Sequence, residues 1–133
     1  MKLVDSSGWL EFFTDGPLAQ AYADHLSDLS QVVTPTVVLY EVYKKIKRER
    51  SEEEALIAAA QIHRTQLIPL GEMIALMAAD AGIEFGLAME DAIVFATALA
   101  QKAELITSDA DFARLPGVTY LHKPGRRQNG RKQ

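Results

Sequence analysis

Two rhythms of apolar and polar positions alternate along the chain. Short apolar runs end on hydroxyls or a carboxylate, and longer stretches carry apolar residues three and four apart. The first run, Lys2 to Val4, closes on Asp5-Ser6-Ser7, which predicts a buried strand and then a helix capped by Ser6 or Ser7. Trp9, Phe12 and Phe13 fall on one face of that helix as a packing stripe, and Gly16-Pro17 punctuates its end. A second helical segment runs from Pro17, as its first residue, to about Leu29, with Leu18, Ala21, Tyr22 and Leu26 on one face.

Gln31 to Thr34 reads as a strand, Pro35-Thr36 as a helix entry, and Val37 to Arg50 as the helix. Ser51 with Glu54 forms a capping box for a fourth helix to about Arg64. Gln66 to Pro69 is a further short strand, followed by a helix from Glu72 to Phe85 that Gly86 stops. Glu90 to Lys102 is apolar almost all round, as befits a buried helix. Glu104 to Thr107 repeats the opening pattern, ending on Thr107-Ser108-Asp109, and Val118 to Leu121 is the last strand. The order β-αα-β-αα-β-α-α-β-β predicts an α/β domain with a small parallel sheet flanked by helices.

With 133 residues, 48% of them hydrophobic, one domain over residues 1–122 accounts for the chain. The absence of cysteine excludes disulfides and thiolate metal sites. No stretch reads as a membrane span or signal peptide, so a cytoplasmic location is expected. Charge changes the picture more. Five of the 14 basic residues stand in 123–133 without an acid, leaving 9 against 18 acids in the body. The tail, 123–133, reads as basic and disordered. An acidic body argues against a broad nucleic-acid platform and leaves a local basic stripe or the tail to steer a polyanion.

Four acids come from separated elements: Asp5 and Asp109 at strand ends, Glu41 and Asp91 within apolar helical surroundings. Parallel strands share a carboxyl edge, where ligands bind in open α/β sheets. Gathered carboxylates repel unless protons or a hard divalent ion neutralise them. Plainer roles exist for each. Asp5 and Asp109 can be caps, Asp91 with Glu90 can favour a helix N-terminus, and Glu41 can pair with Lys44 or Lys45 on a solvated face.

Val4-Asp5-Ser6-Ser7, Tyr40-Glu41-Val42, Met89-Glu90-Asp91-Ala92 and Thr107-Ser108-Asp109-Ala110-Asp111-Phe112 resemble, in order and spacing, the four acidic blocks of the PIN-domain family. More narrowly, the chain resembles the VapC-type toxins of toxin–antitoxin pairs over residues 2–121. The resemblance implies a three-layer α/β/α fold and a Mg²⁺- or Mn²⁺-dependent endoribonuclease. It implies Asp5 and Asp91 as main metal ligands, Glu41 and Asp109 completing the catalytic set, and Ser6, Thr107 or Ser108 in support. Asp111 is a less constant fifth acid of the pattern. A VapB-type antitoxin and homodimerisation are implied partners.

His25, His63 and His122 stand in unrelated contexts, so metal-activated hydrolysis is expected rather than a histidine acid/base pair. Products would carry 5′-phosphate and 3′-hydroxyl ends. Lys44 and Lys45, just beyond Glu41, are candidates for RNA phosphate contact, though a solvated helix face explains them equally. An alternative is a PIN-like module that binds RNA or protein without cutting. A phosphoacceptor receiver domain fits poorly, because paired helices intervene between the strands.

Overall fold

The computed structural model describes residues 1–124, so the predicted tail lies outside the described residues from position 125 onward. Five strands, β1 (Lys2–Val4), β2 (Val32–Pro35), β3 (Gln66–Ile68), β4 (Glu104–Thr107) and β5 (Val118–Tyr120), form one sheet in the order β3-β2-β1-β4-β5. Every pairing is parallel. Helices α1 (Ser6–Phe13), α2 (Ala19–His25), α3 (Thr36–Glu49), α4 (Glu52–His63), α5 (Glu72–Phe85) and α6 (Met89–Gln101) flank it. The predicted α/β fold is therefore the observed one.

Leu3, Val4, Val32, Val33, Leu105 and Ile106 are almost wholly buried, as both-face coverage of a parallel sheet requires. The chain leaves β1 toward β2 and β3 on one side and returns through β4 and β5 on the other. β1 and β4 thus flank the point where strand order reverses, the place at which such sheets open a crevice. Lys2, Leu3 and Val4 pair with Glu104, Leu105 and Ile106, so Asp5 emerges level with Thr107.

The helix signals are realised with local exceptions. Ser51 Oγ accepts from the Glu54 backbone N–H at 3.0 Å, making the serine half of the capping box at α4, while the Glu54 carboxylate takes Arg50 Nε at 2.7 Å. Gly86 ends α5 in the left-handed region at φ 69°. The second helix starts at Ala19 instead of Pro17, because the Leu18 N–H donates to Glu11 Oε1 at 2.8 Å and holds Pro17 in the preceding turn. It also ends early, at His25. Asp28 then caps a 3₁₀ turn, Leu29–Gln31, which moves the start of β2 to Val32.

Small residues let α5 and α6 pack closely, with Ile74, Ala78, Ala92, Ile93 and Ala96 in a second apolar cluster. Trp9 is buried and Phe12 and Phe13 pack on the core, confirming the aromatic stripe as packing. Outward from α5 stand Met73, Leu76 and Ile83, exposed by 68%, 62% and 85%. Among the described residues no helix is long and apolar enough to cross a membrane.

Gly8 fixes how α1 meets α2. A Cβ there would sit 2.6 Å from Val4 Cγ1 and within the envelope of the Tyr22 ring. Gly8→Ala is predicted to destabilise the fold by about 1–3 kcal/mol through overpacking. Urea unfolding checks this, and an unchanged midpoint would contradict the tight seat of Tyr22.

Candidate metal centre

Asp5 leaves β1 in extended conformation and caps α1. Its carboxylate accepts from the Gly8 N–H at 3.2 Å, from Ser7 Oγ at 2.9 Å and from Thr107 Oγ1 at 2.8 Å. Thr107 Oγ1 accepts in turn from the Asp109 N–H at 2.9 Å, and Asp109 Oδ1 accepts from the Asp111 N–H at 2.9 Å. One hydrogen-bonded line therefore runs from the β1 end, through the β4 end, into the 3₁₀ turn Ala110–Phe112. Ser108 plays a different part: it is buried and accepts from the Tyr22 hydroxyl at 2.9 Å, tying this edge to α2.

Asp91 enters from the first turn of α6, whose N-cap, Ala88, supplies no side-chain cap. One carboxylate oxygen each from Asp91, Asp109 and Asp111 lies within 4.8 Å of the others. The oxygen-only donor set and the convergence of three helix and strand ends fit a hard divalent ion. Asp5, whose carboxylate is occupied by Ser7, Gly8 and Thr107, is outside this closest trio, and Glu41 is outside it too. Asp111, the less constant acid of the sequence pattern, is inside.

Charge binds six acids, Asp5, Glu41, Glu90, Asp91, Asp109 and Asp111, into one system. Burial pushes Asp5 up to about 6, against the pull of the Thr107, Ser7 and Gly8 hydrogen bonds, with Asp109 adding a smaller upward push. Asp91 is likewise pushed up to about 6, first by burial and then by Asp109, Asp111, Asp5 and Glu90. Glu41 rises to about 8 through burial and its neighbour Glu90, with Asp91 adding and the Ser6 hydroxyl opposing. In all three, like-charged neighbours add to the effect of burial, a push that a carboxylate capping a helix alone does not feel.

Asp5 and Asp109 do serve as caps, and those plainer roles coexist with the cluster. The plainer role for Glu41 is not realised. Lys44 Nζ donates to the Tyr40 hydroxyl at 3.1 Å and Lys45 Nζ pairs with Glu49 at 2.9 Å, so neither neutralises it. Both lysines line a groove with Glu41, Glu90 and Ser6. Glu90 is the site residue that sequence reasoning treated only as a helix-end charge. Its signal was adjacency to Asp91, but its proximity to Glu41 depends on α3 packing against α6.

The fold and this edge define a class: a parallel α/β domain with an acidic cluster at the carboxyl ends of its central strands. The chain belongs to the PIN domain family, whose model matches residues 2–118. No curated protein matches it. Among solved structures it is similar to a toxin–antitoxin complex from Klebsiella pneumoniae, at 25% identity and TM-score 0.80, covering 93% of this chain and 100% of that one. It also shares its fold with VapC20 of Mycobacterium tuberculosis, described as a Sarcin-Ricin loop cleaving toxin (20% identity, TM-score 0.71, 93% and 100% covered). A third similar structure is VapBC2 from Rickettsia felis bound to a DNA fragment from its promoter (15% identity, TM-score 0.74, 92% and 98% covered).

A stability prediction follows from the shift of Asp5. Between its ordinary value of 3.8 and about 6, the folded carboxyl keeps a proton that the unfolded chain has lost. Its contribution to stability therefore falls as pH rises through that window. Asn removes the charge and remains a good N-cap. In EDTA at about pH 8, Asp5→Asn is expected to be more stable than the wild type by on the order of 2–3 kcal/mol, with the gap closing near pH 4. Urea titrations at both pH values measure it; a wild type at least as stable as the variant at the higher pH would refute the shift.

Proposed function

We propose that this chain is a Mg²⁺- or Mn²⁺-dependent endoribonuclease and the toxin of a VapBC-type toxin–antitoxin pair. The observation that carries the proposal is the convergence of Asp91, Asp109 and Asp111 oxygens within 4.8 Å at the sheet's carboxyl edge. In support stands the likeness to structures described as a toxin–antitoxin complex and as a Sarcin-Ricin loop cleaving toxin.

Asp91, Asp109 and Asp111 would hold the ion, with Asp5 and Glu41 completing its negative surroundings. A divalent ion bound there supplies activation of a water and neutralisation of charge on the scissile phosphate. Thr107 fixes Asp5 and, through the Asp109 N–H, the turn that carries Asp109 and Asp111. Glu41, whose affinity for a proton is raised by burial and by the neighbouring Glu90, is placed to take up or give one as the site's charge changes. Burial of Asp5 keeps water from competing for its position.

The active unit is residues 1–122 acting in the cytoplasm, with a VapB-type antitoxin obstructing the acidic edge. The exposed Met73, Leu76 and Ile83 row on α5 supports homodimerisation. It stands beside, and is distinct from, Ile74, which the core takes.

Incubation with total RNA and Mn²⁺ is expected to give cuts bearing 5′-phosphate ends, abolished by EDTA. Asp91→Asn should lower cleavage by at least about a hundredfold, and Thr107→Val, which keeps shape and loses the hydroxyl, by about 10–100-fold. RNA binding without any metal-dependent cut would support a non-cleaving PIN-like module instead, and cyclic phosphate ends would exclude metal-activated water.

A further inference from the structure

Beside the acidic edge, α3 presents Tyr40, Lys44 and Arg48 at i, i+4 and i+8, a single face that leads away from Glu41. All three line the same open groove of about 540 Å³ as Glu41 and Glu90, a size that admits a nucleotide. Tyr40 is 58% exposed although it is a large aromatic residue on an otherwise amphipathic helix. The Lys44 ammonium stands 5.3 Å from the centroid of its ring. Lys44 makes no ion pair among the described residues. Lys45 and Arg48 share Glu49 in exposed contacts of 2.9 and 3.4 Å, pairings weak enough to yield to a phosphate.

We infer that the Tyr40–Lys44–Arg48 face of α3 is a binding subsite for single-stranded RNA, in which an unpaired base stacks on Tyr40 while Lys44 and Arg48 hold flanking phosphates. The inference rests on RNA being the substrate of the acidic site and adds which residues outside that site grip it, Tyr40 above all. An aromatic ring exposed within a row of cations is the combination that single strands use, bases on the ring and backbone on the charges. Successive cations on this face are separated by about 6 Å of helix rise, the scale of one nucleotide step in an extended strand. A duplex keeps its bases stacked and offers Tyr40 no face. Because the body of the protein is acidic, a row of cations beside Glu41 eases the approach of a polyanion to it.

Fluorescence anisotropy in EDTA with a labelled short oligouridylate tests the subsite apart from cleavage. Tyr40→Ala is expected to weaken binding about tenfold, with Tyr40→Phe and Tyr40→Trp close to wild type. An abasic strand of equal length should bind the wild type and Tyr40→Ala alike, as should a duplex. With Mn²⁺ present, Tyr40→Ala should raise KM and leave kcat unchanged. Equal binding of oligouridylate by wild type and Tyr40→Ala overturns the inference, as does an equal loss on the abasic strand. Loss of affinity for a purified antitoxin with RNA binding unchanged overturns it in favour of a protein-binding groove. Cleavage with a KM indifferent to Tyr40 removes the subsite and leaves the nuclease; Tyr40-dependent binding without any cleavage removes the nuclease and leaves the subsite.

Discussion

The whole acidic edge hangs on the parallel register of β1 and β4. With Val4 level with Ile106, the next residues, Asp5 and Thr107, meet across the strand ends, and the Thr107 hydroxyl spans the 2.8 Å to Asp5 Oδ2. The same oxygen accepts the Asp109 N–H, so one side chain sets both the first acid and the turn carrying two more. A slip of one residue would turn Thr107 to the opposite face and dissolve this arrangement. Gly8 and Tyr22 reinforce it from outside, Gly8 by admitting the ring and Tyr22 by donating to Ser108.

That geometry gathers like charges where burial already disfavours them. Asp5, Asp91 and Glu41 all bind protons more tightly than free carboxyls do, each chiefly through burial. Folding therefore works against this cluster in its ionised form, and the hydrophobic core must offset that cost. Leu3, Val33, Leu105 and Ile106, wholly or almost wholly buried beneath the edge, are the residues that do so. The proposed ion would convert the same repulsion into affinity, which is why a destabilising cluster and a functional one have the same appearance.

The sheet, the helix order and the two strand-end acids were legible because each depends on local signals: apolar runs, a capping box, and hydroxyls next to carboxylates. Glu41 and Asp91 were legible as acids in apolar surroundings. Glu90 was not, since its partner is 49 residues away in sequence and reaches it only by packing of α3 on α6. The place of Asp111 depended on the 3₁₀ turn, which swings its carboxylate beside those of Asp109 and Asp91. The start of α2 was misplaced because a side chain seven residues upstream, Glu11, takes the Leu18 N–H and overrides the preference of proline for a first helical turn.

The most direct test of an acidic cluster held in tension is proton release on metal binding. Titration calorimetry of the metal-free protein with Mn²⁺ at about pH 6, repeated in buffers of different ionisation enthalpy, counts the protons displaced. With Asp5 and Asp91 raised to about 6 and Glu41 to about 8, release on the order of one to two protons per protein is predicted. Binding heat that is the same in every buffer, or no saturable binding at all, would contradict the account.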